Sequence, residues 1–153
     1  MSGETVRTYL MEHGARYEVR THDKAFTIGE IAEAEHVSGE QMAKVVMLHS
    51  DDDLVMAVLP GNRMIDLEKA KTALSAAAVR LAAETEFAPQ FPDCELGAEP
   101  PFGPLYGVPM VVDLALQSEE ITFNAGNHME TLTMSLGDYL ELTKPRRVDL
   151  AAT

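Results

Sequence analysis

A chain of 153 residues, 46% of them hydrophobic, is long enough for one domain with its own core and too apolar for disorder to be the default. Twelve Lys and Arg against 25 Asp and Glu give a net charge of −13, which argues against non-specific binding to polyanions. The single cysteine, Cys94, excludes an intramolecular disulfide framework or a cysteine-based metal cluster, and no segment approaches the ~20 apolar residues of a membrane helix. The first residues carry no apolar core like that of a secretory signal, so the expectation is a soluble, cytoplasmic, single domain over residues 1–153. The basic residues are unevenly spread: Arg7, Arg16, Arg20 and Lys24 near the start, Lys144, Arg146 and Arg147 near the end. If the termini meet, a basic patch survives an acidic whole; adaptation to high salt would also explain the imbalance.

Glu4 to His13 carries Val6, Leu10 and Met11 at helical spacing, with Gly14 as a stop. From Ala15 to Thr21, Tyr17 and Val19 alternate with Arg16, Glu18 and Arg20, the period of a half-buried strand. Thr27 caps a helix over Ile28–His36, with Glu30 placed for a capping box and Val37-Ser38-Gly39 as its end. Met42 to His49 is an apolar run interrupted by Lys44. Asp51–Asp53 makes a polar turn, and Leu54 to Leu59 is a second apolar run, so the pair reads as a hairpin of interior strands.

Pro60-Gly61 breaks that hairpin, and Asp66 caps a helix running to about Ala76. Val79–Leu81 reads as a short strand and Glu84–Phe87 as a helical turn. Val108–Leu114 and Ile121–Asn124 read as strands, and Thr131–Leu136 as a strand giving way to a helix over Gly137–Leu142. This order predicts an α+β fold with a mixed or largely antiparallel sheet rather than a doubly wound one.

Three features carry potential chemistry. The stretch Gly97-Ala98-Glu99-Pro100-Pro101-Phe102-Gly103, with Pro104, is stiff where proline fixes φ and bare where glycine lacks a side chain. Such a loop holds backbone groups against a ligand, or is simply a surface turn. Lys44 stands among residues that want burial; it is either a site lysine or the solvent face of an amphipathic strand, since Lys44, Val46 and Leu48 share one side. His128, after Gly126, is a pocket or a structural histidine. Among five histidines there is no His-x-His or His-Glu-x-x-His, and neither a nucleophile elbow nor a P-loop is present. Cys94 has no sign of activation. An enzyme built on this chain would therefore use neither a metal nor a standard nucleophile signature.

Three motifs in this order resemble the YbaK/prolyl-tRNA-synthetase-associated editing domain family: Ala43-Lys44-Val45-Val46, the Gly-x-x-x-Pro-x-Gly loop of Gly97 to Gly103, and Asn124-Ala125-Gly126-Asn127-His128 running into Leu132–Leu142. The resemblance spans essentially the whole chain. It implies a curled mixed, largely antiparallel sheet, distorted and barrel-like, with helices packed outside. It also implies a trans-acting aminoacyl-tRNA deacylase that hydrolyses the ester of a mischarged tRNA carrying a small amino acid, with no cofactor and no metal.

On that resemblance Lys44, Gly97 and His128 are the catalytic positions. Lys44 anchors the 3′-terminal adenosine near its phosphate or the ester, and a terminal ribose hydroxyl helps activate the water. Ala98, Glu99, Pro100, Pro101, Gly103 and Gly126 line the substrate. Glu99 and Pro100 depart from the small residues common in relatives; Glu99 either contacts the substrate ammonium or points outward, and Pro100 removes a backbone donor. The implied partners are the acceptor end of the tRNA and, alternatively, an aminoacyl-tRNA synthetase; no membrane is implied. A non-catalytic module binding an aminoacyl-adenosine- or nucleotide-like ligand, or a synthetase partner, is the rival reading.

Overall fold

The run Met42–His49, apolar but for Lys44, becomes an eight-residue strand, β2 (Ala43–Ser50), folded back at Asp51 onto β3 (Asp53–Pro60). Asp51 turns through φ +52°, and its carboxylate accepts from the N–H groups of Ala77 and Ala78, which ties the hairpin tip to the next segment. Both strands are flanked, β2 by β4 (Val79–Leu81) and β3 by β5 (Met110–Asp113), so the hairpin is interior as its apolar runs predict. This computed structural model describes residues 4–25 and 27–153; residues 1–3, part of the leading segment read above as lacking a signal-like core, lie outside that description.

The five-stranded sheet runs β4-β2-β3-β5-β8, with β8 spanning Arg146–Val148. Its first two pairings are antiparallel, whereas β3–β5 and β5–β8 are parallel. A three-stranded antiparallel sheet holds β1 (Glu18–Thr21), β7 (Glu130–Ser135) and β6 (Glu120–Asn124), in the order β1-β7-β6. The two sheets meet at a parallel bridge, Met42↔Thr122. The expected mixed, largely antiparallel α+β architecture is present, but the curl is weak and the barrel is not closed.

Helices flank these sheets where their caps dictate. Thr27 and Glu30 form the reciprocal capping box of α2 (Ile28–Glu35), at 3.0 and 3.1 Å. Asp66 accepts from Glu68 and Lys69 to start α3 (Leu67–Ala73), which stops three residues before the expected Ala76 because Ser75 turns to φ +51°. Strand β5 likewise starts later than Val108, whose N–H bonds Gly103 O, and Pro109 has no N–H to give. Val19, expected half-buried, is 42% exposed on the edge strand β1.

The main core lies between α1 (Glu4–Glu12), α5 (Leu136–Thr143) and one face of both sheets, and includes Leu10, Met56, Phe102, Phe123 and Tyr139. No helix among the described residues is long and apolar enough to cross a membrane. The basic residues near the two ends are partly spent inside the fold. Arg7 pairs with Glu130 at 2.6 Å, and Arg147 donates to the carbonyl of Leu116 at 2.7 Å.

Candidate active site

The Pro/Gly loop is anchored from beneath by aromatic rings. Phe102, 1% exposed, packs edge-on against Tyr139 and Phe123, and the Tyr139 hydroxyl donates to Pro101 O at 2.6 Å. Gly103 has no room for a side chain: a Cβ there would lie 2.5 Å from Val108 O. Its glycine is thus a packing requirement, where the resemblance made it a substrate contact. Ala98 through Gly103 are all buried, and the loop meets solvent at its two ends, at Glu95, Leu96 and Gly97 and again at Pro104.

The turn between β6 and β7 carries His128. Gly126 at φ +105° makes the turn possible, and the Asn127 side chain accepts from the N–H groups of Met129 and Glu130, closing it as an Asx turn would. Three bonds then stitch the turn to the loop. Glu95 N–H donates to Gly126 O at 2.7 Å, His128 N–H donates to a Glu95 carboxylate oxygen at 2.7 Å, and the His128 ring meets Leu96 O through Nε2 at 2.8 Å. A carbonyl only accepts, so Nε2 carries a proton and the ring orientation is set by the loop. Gly97, at φ +87°, faces the same ring: a Cβ built on it would lie 3.6 Å from His128 Cε1. Gly97, Glu99, Gly126 and His128 therefore form one cluster, although its two halves are some thirty residues apart in the chain. Glu95, which makes two of the three stitches, was not signalled by the sequence; a carboxylate holding a backbone N–H across the fold leaves no local pattern.

Several of the loop's backbone donors are already used. Gly97 N–H goes to the Glu99 carboxylate at 3.0 Å, Ala98 N–H to Glu95 O and Phe102 N–H to Pro100 O, while Pro100 and Pro101 have none. The groups left for a ligand are mainly carbonyls, which accept rather than donate.

Lys44 stands on β2 opposite Leu59. Its neighbours Ala43, Val45 and Met47 turn toward the core that holds Phe102, so alternation puts Lys44 on the other face, with Met42 two residues before it. Met42 packs on Ala25 and Ile31 of the α2 segment, and Ala25 N–H donates to His128 O at 3.1 Å. Lys44 itself is half-buried. Burial alone pulls its pKa below the ordinary lysine value, with neither hydrogen bond nor charge partner contributing. Lys69, by contrast, is held by Asp149 and by Ala151 O. On β6, Asn124 shares the Lys44 side of the Met42↔Thr122 bridge, and its buried Oδ1 has no hydrogen-bond partner.

Cys94, the residue before Glu95, has its thiol 3.4 Å from the Tyr106 hydroxyl. Burial pushes its thiol up to about 12, so the nucleophilic thiolate is scarce at neutral pH. Replacing Cys94 by Ala is expected to change a deacylation rate by less than about twofold; loss of activity in that variant, measured beside wild type, would contradict the assignment.

A family described as an aminoacyl-tRNA editing domain matches residues 22–142, a range that includes Lys44, Gly97 and His128. Over 150 residues the chain is 26% identical to the multifunctional Ser/Thr-tRNA deacylase ProXp-y of Escherichia coli (strain K12), with 94% of this chain and 89% of that protein covered. Among solved structures, the hypothetical protein APE2540 superposes with a TM-score of 0.87 at 20% identity, covering 97% of this chain and 100% of that one. A structure described as a candidate trans-editing enzyme for prolyl tRNA synthetase gives a TM-score of 0.86 at 21% identity, covering 99% and 97%.

Proposed function

The chain belongs to the aminoacyl-tRNA editing domain family, and on that footing we propose that this deacylase acts in trans on mischarged tRNA carrying a small aminoacyl group. The observation that carries the site assignment is the meeting of the Gly97 loop with the His128 turn; Lys44, whose ammonium has no partner among the described residues, is assigned to the same site by the family resemblance. A half-buried cation without a counterion favours an anion brought by the substrate. On this reading Lys44 takes the phosphate or the developing oxyanion of the ester at the 3′-terminal adenosine. Gly97 and His128 wall the aminoacyl moiety, and the loop carbonyls face its donors.

Hydrolysis adds water to the ester carbonyl. The C–O bond to the ribose breaks, and the amino acid leaves as its acid while the terminal hydroxyl of the tRNA is restored. A neighbouring ribose hydroxyl assists the proton transfers, so no protein nucleophile is needed. Recognition limited to the acceptor end involves few phosphates, which reconciles a net charge of −13 with a tRNA substrate.

Purified protein assayed on a panel of mischarged tRNAs tests the reading; turnover of none of them would overturn it. No three His, Cys, Asp or Glu side chains converge as a metal-binding group among the described residues, so the mechanism assigns no step to a metal. Activity is therefore expected to survive a chelator unchanged. A complete loss restored by zinc would refute this chemistry.

A further inference from the structure

We propose that Glu99 is the acceptor for the substrate's α-ammonium group and makes the site selective for a free amine; this rests on the deacylase reading above. Glu99 is 6% exposed, and one carboxylate oxygen holds the N–H of the bare, solvent-facing Gly97 at 3.0 Å. Buried carboxylates are ordinarily paired with a cation. Glu99 forms no ion pair with Lys or Arg among the described residues; the charges acting on it are His128, which favours the carboxylate, and Glu84, which opposes it. Desolvation raises its pKa above the ordinary carboxylate value, as expected for an acid whose cation is missing.

Lys44 shows the mirror image, a desolvated cation without an anion, and the two side chains do not pair with each other. A ligand that completes both carries an ammonium group at one end and a phosphate or an ester oxygen in reach of the other. The end of an aminoacyl-tRNA has that order of charges: α-ammonium, ester, then the phosphate of the terminal adenosine. Glu99 lies under the part of the loop that faces His128, which is the aminoacyl end in the assignment above. The carbonyls of Gly97, Ala98 and Glu99 accept no hydrogen bond among the described residues, and they suit the same ammonium.

The test compares alanyl-tRNA with L-lactyl-tRNA, in which a neutral hydroxyl replaces the ammonium at nearly the same size. Rates are taken over spontaneous hydrolysis of each ester, with wild type and Glu99→Gln. The glutamine oxygen still accepts from Gly97 N–H, so the loop should persist, which a thermal melt checks. Wild type is expected to prefer the alanyl ester at least about tenfold, and Glu99→Gln to raise KM for it about tenfold while leaving the lactyl ester unchanged, so that the preference collapses. A wild type indifferent to the amine, or a Glu99→Gln enzyme that loses both esters equally or neither, would overturn the proposal. Inactivity of the wild type on every ester would overturn the deacylase reading, and this one with it.

Discussion

Lys44→Ala is expected to lower kcat/KM for deacylation by ~10²–10³-fold, the usual loss when one well-placed donor to a developing oxyanion is removed. The fold should not suffer. Among the described residues the Lys44 ammonium makes no hydrogen bond or ion pair to lose, and its burial is a cost to the folded state, so the variant should melt at or above the wild-type temperature. A pH series separates charge from shape. Because the folded-state pKa lies below 10.5, the unfolded chain holds this proton more tightly, and stability rises as pH climbs through the lowered folded value toward 10.5. Melting curves of Lys44→Ala should lack that increment. Activity runs the other way: it needs the charged form, so it should fall with rising pH before an ordinary lysine would titrate, once spontaneous ester hydrolysis is subtracted. Lys44→Arg should move that limb upward, since a guanidinium stays charged. A Lys44→Ala enzyme with wild-type turnover would remove Lys44 from the site.

Much of this could be read from the chain because the signals were local. The capping box at Thr27 and Glu30, the Asp66 cap and the β2–β3 hairpin each rest on residues within one turn of each other. The parallel pairings of β3 with β5 and of β5 with β8 could not, since they join distant segments. The β8 strand, Arg146–Val148, is also too short and too charged to stand out. The Pro/Gly loop shows the limit most clearly. Its composition suggests a surface segment offering backbone donors, yet Tyr139 and Phe102 draw it into the core, the Glu99 carboxylate takes the Gly97 N–H, and the Glu95 carboxylate takes the N–H of His128. Those carboxylates look like ordinary surface acids until the fold brings them to Gly97 and His128.

The preference for small aminoacyl groups gives the remaining large effect. The loop at Gly97 is backed by buried Pro100, Pro101 and Phe102 and tied to the Gly126–His128 turn by three bonds, so it cannot swing outward to admit bulk. Alanine, serine and cysteine esters should be hydrolysed and phenylalanine esters spared, with threonine as the borderline case. One extra methylene in such a pocket is worth ~1–3 kcal/mol, about 10–200-fold. Gly97→Ala tests the wall directly. The added methyl would stand 3.6 Å from His128 Cε1, an ordinary contact, so it causes no overlap within the protein and instead fills space the substrate needs. The φ of +87° adds backbone strain of ~1–2 kcal/mol for any residue with a Cβ. Turnover of alanyl-tRNA should therefore drop ~10²-fold, with a melting temperature only a few degrees lower. Equal hydrolysis of alanyl- and phenylalanyl-tRNA by the wild type, or an unchanged rate in Gly97→Ala, would show that this loop is not the sieve.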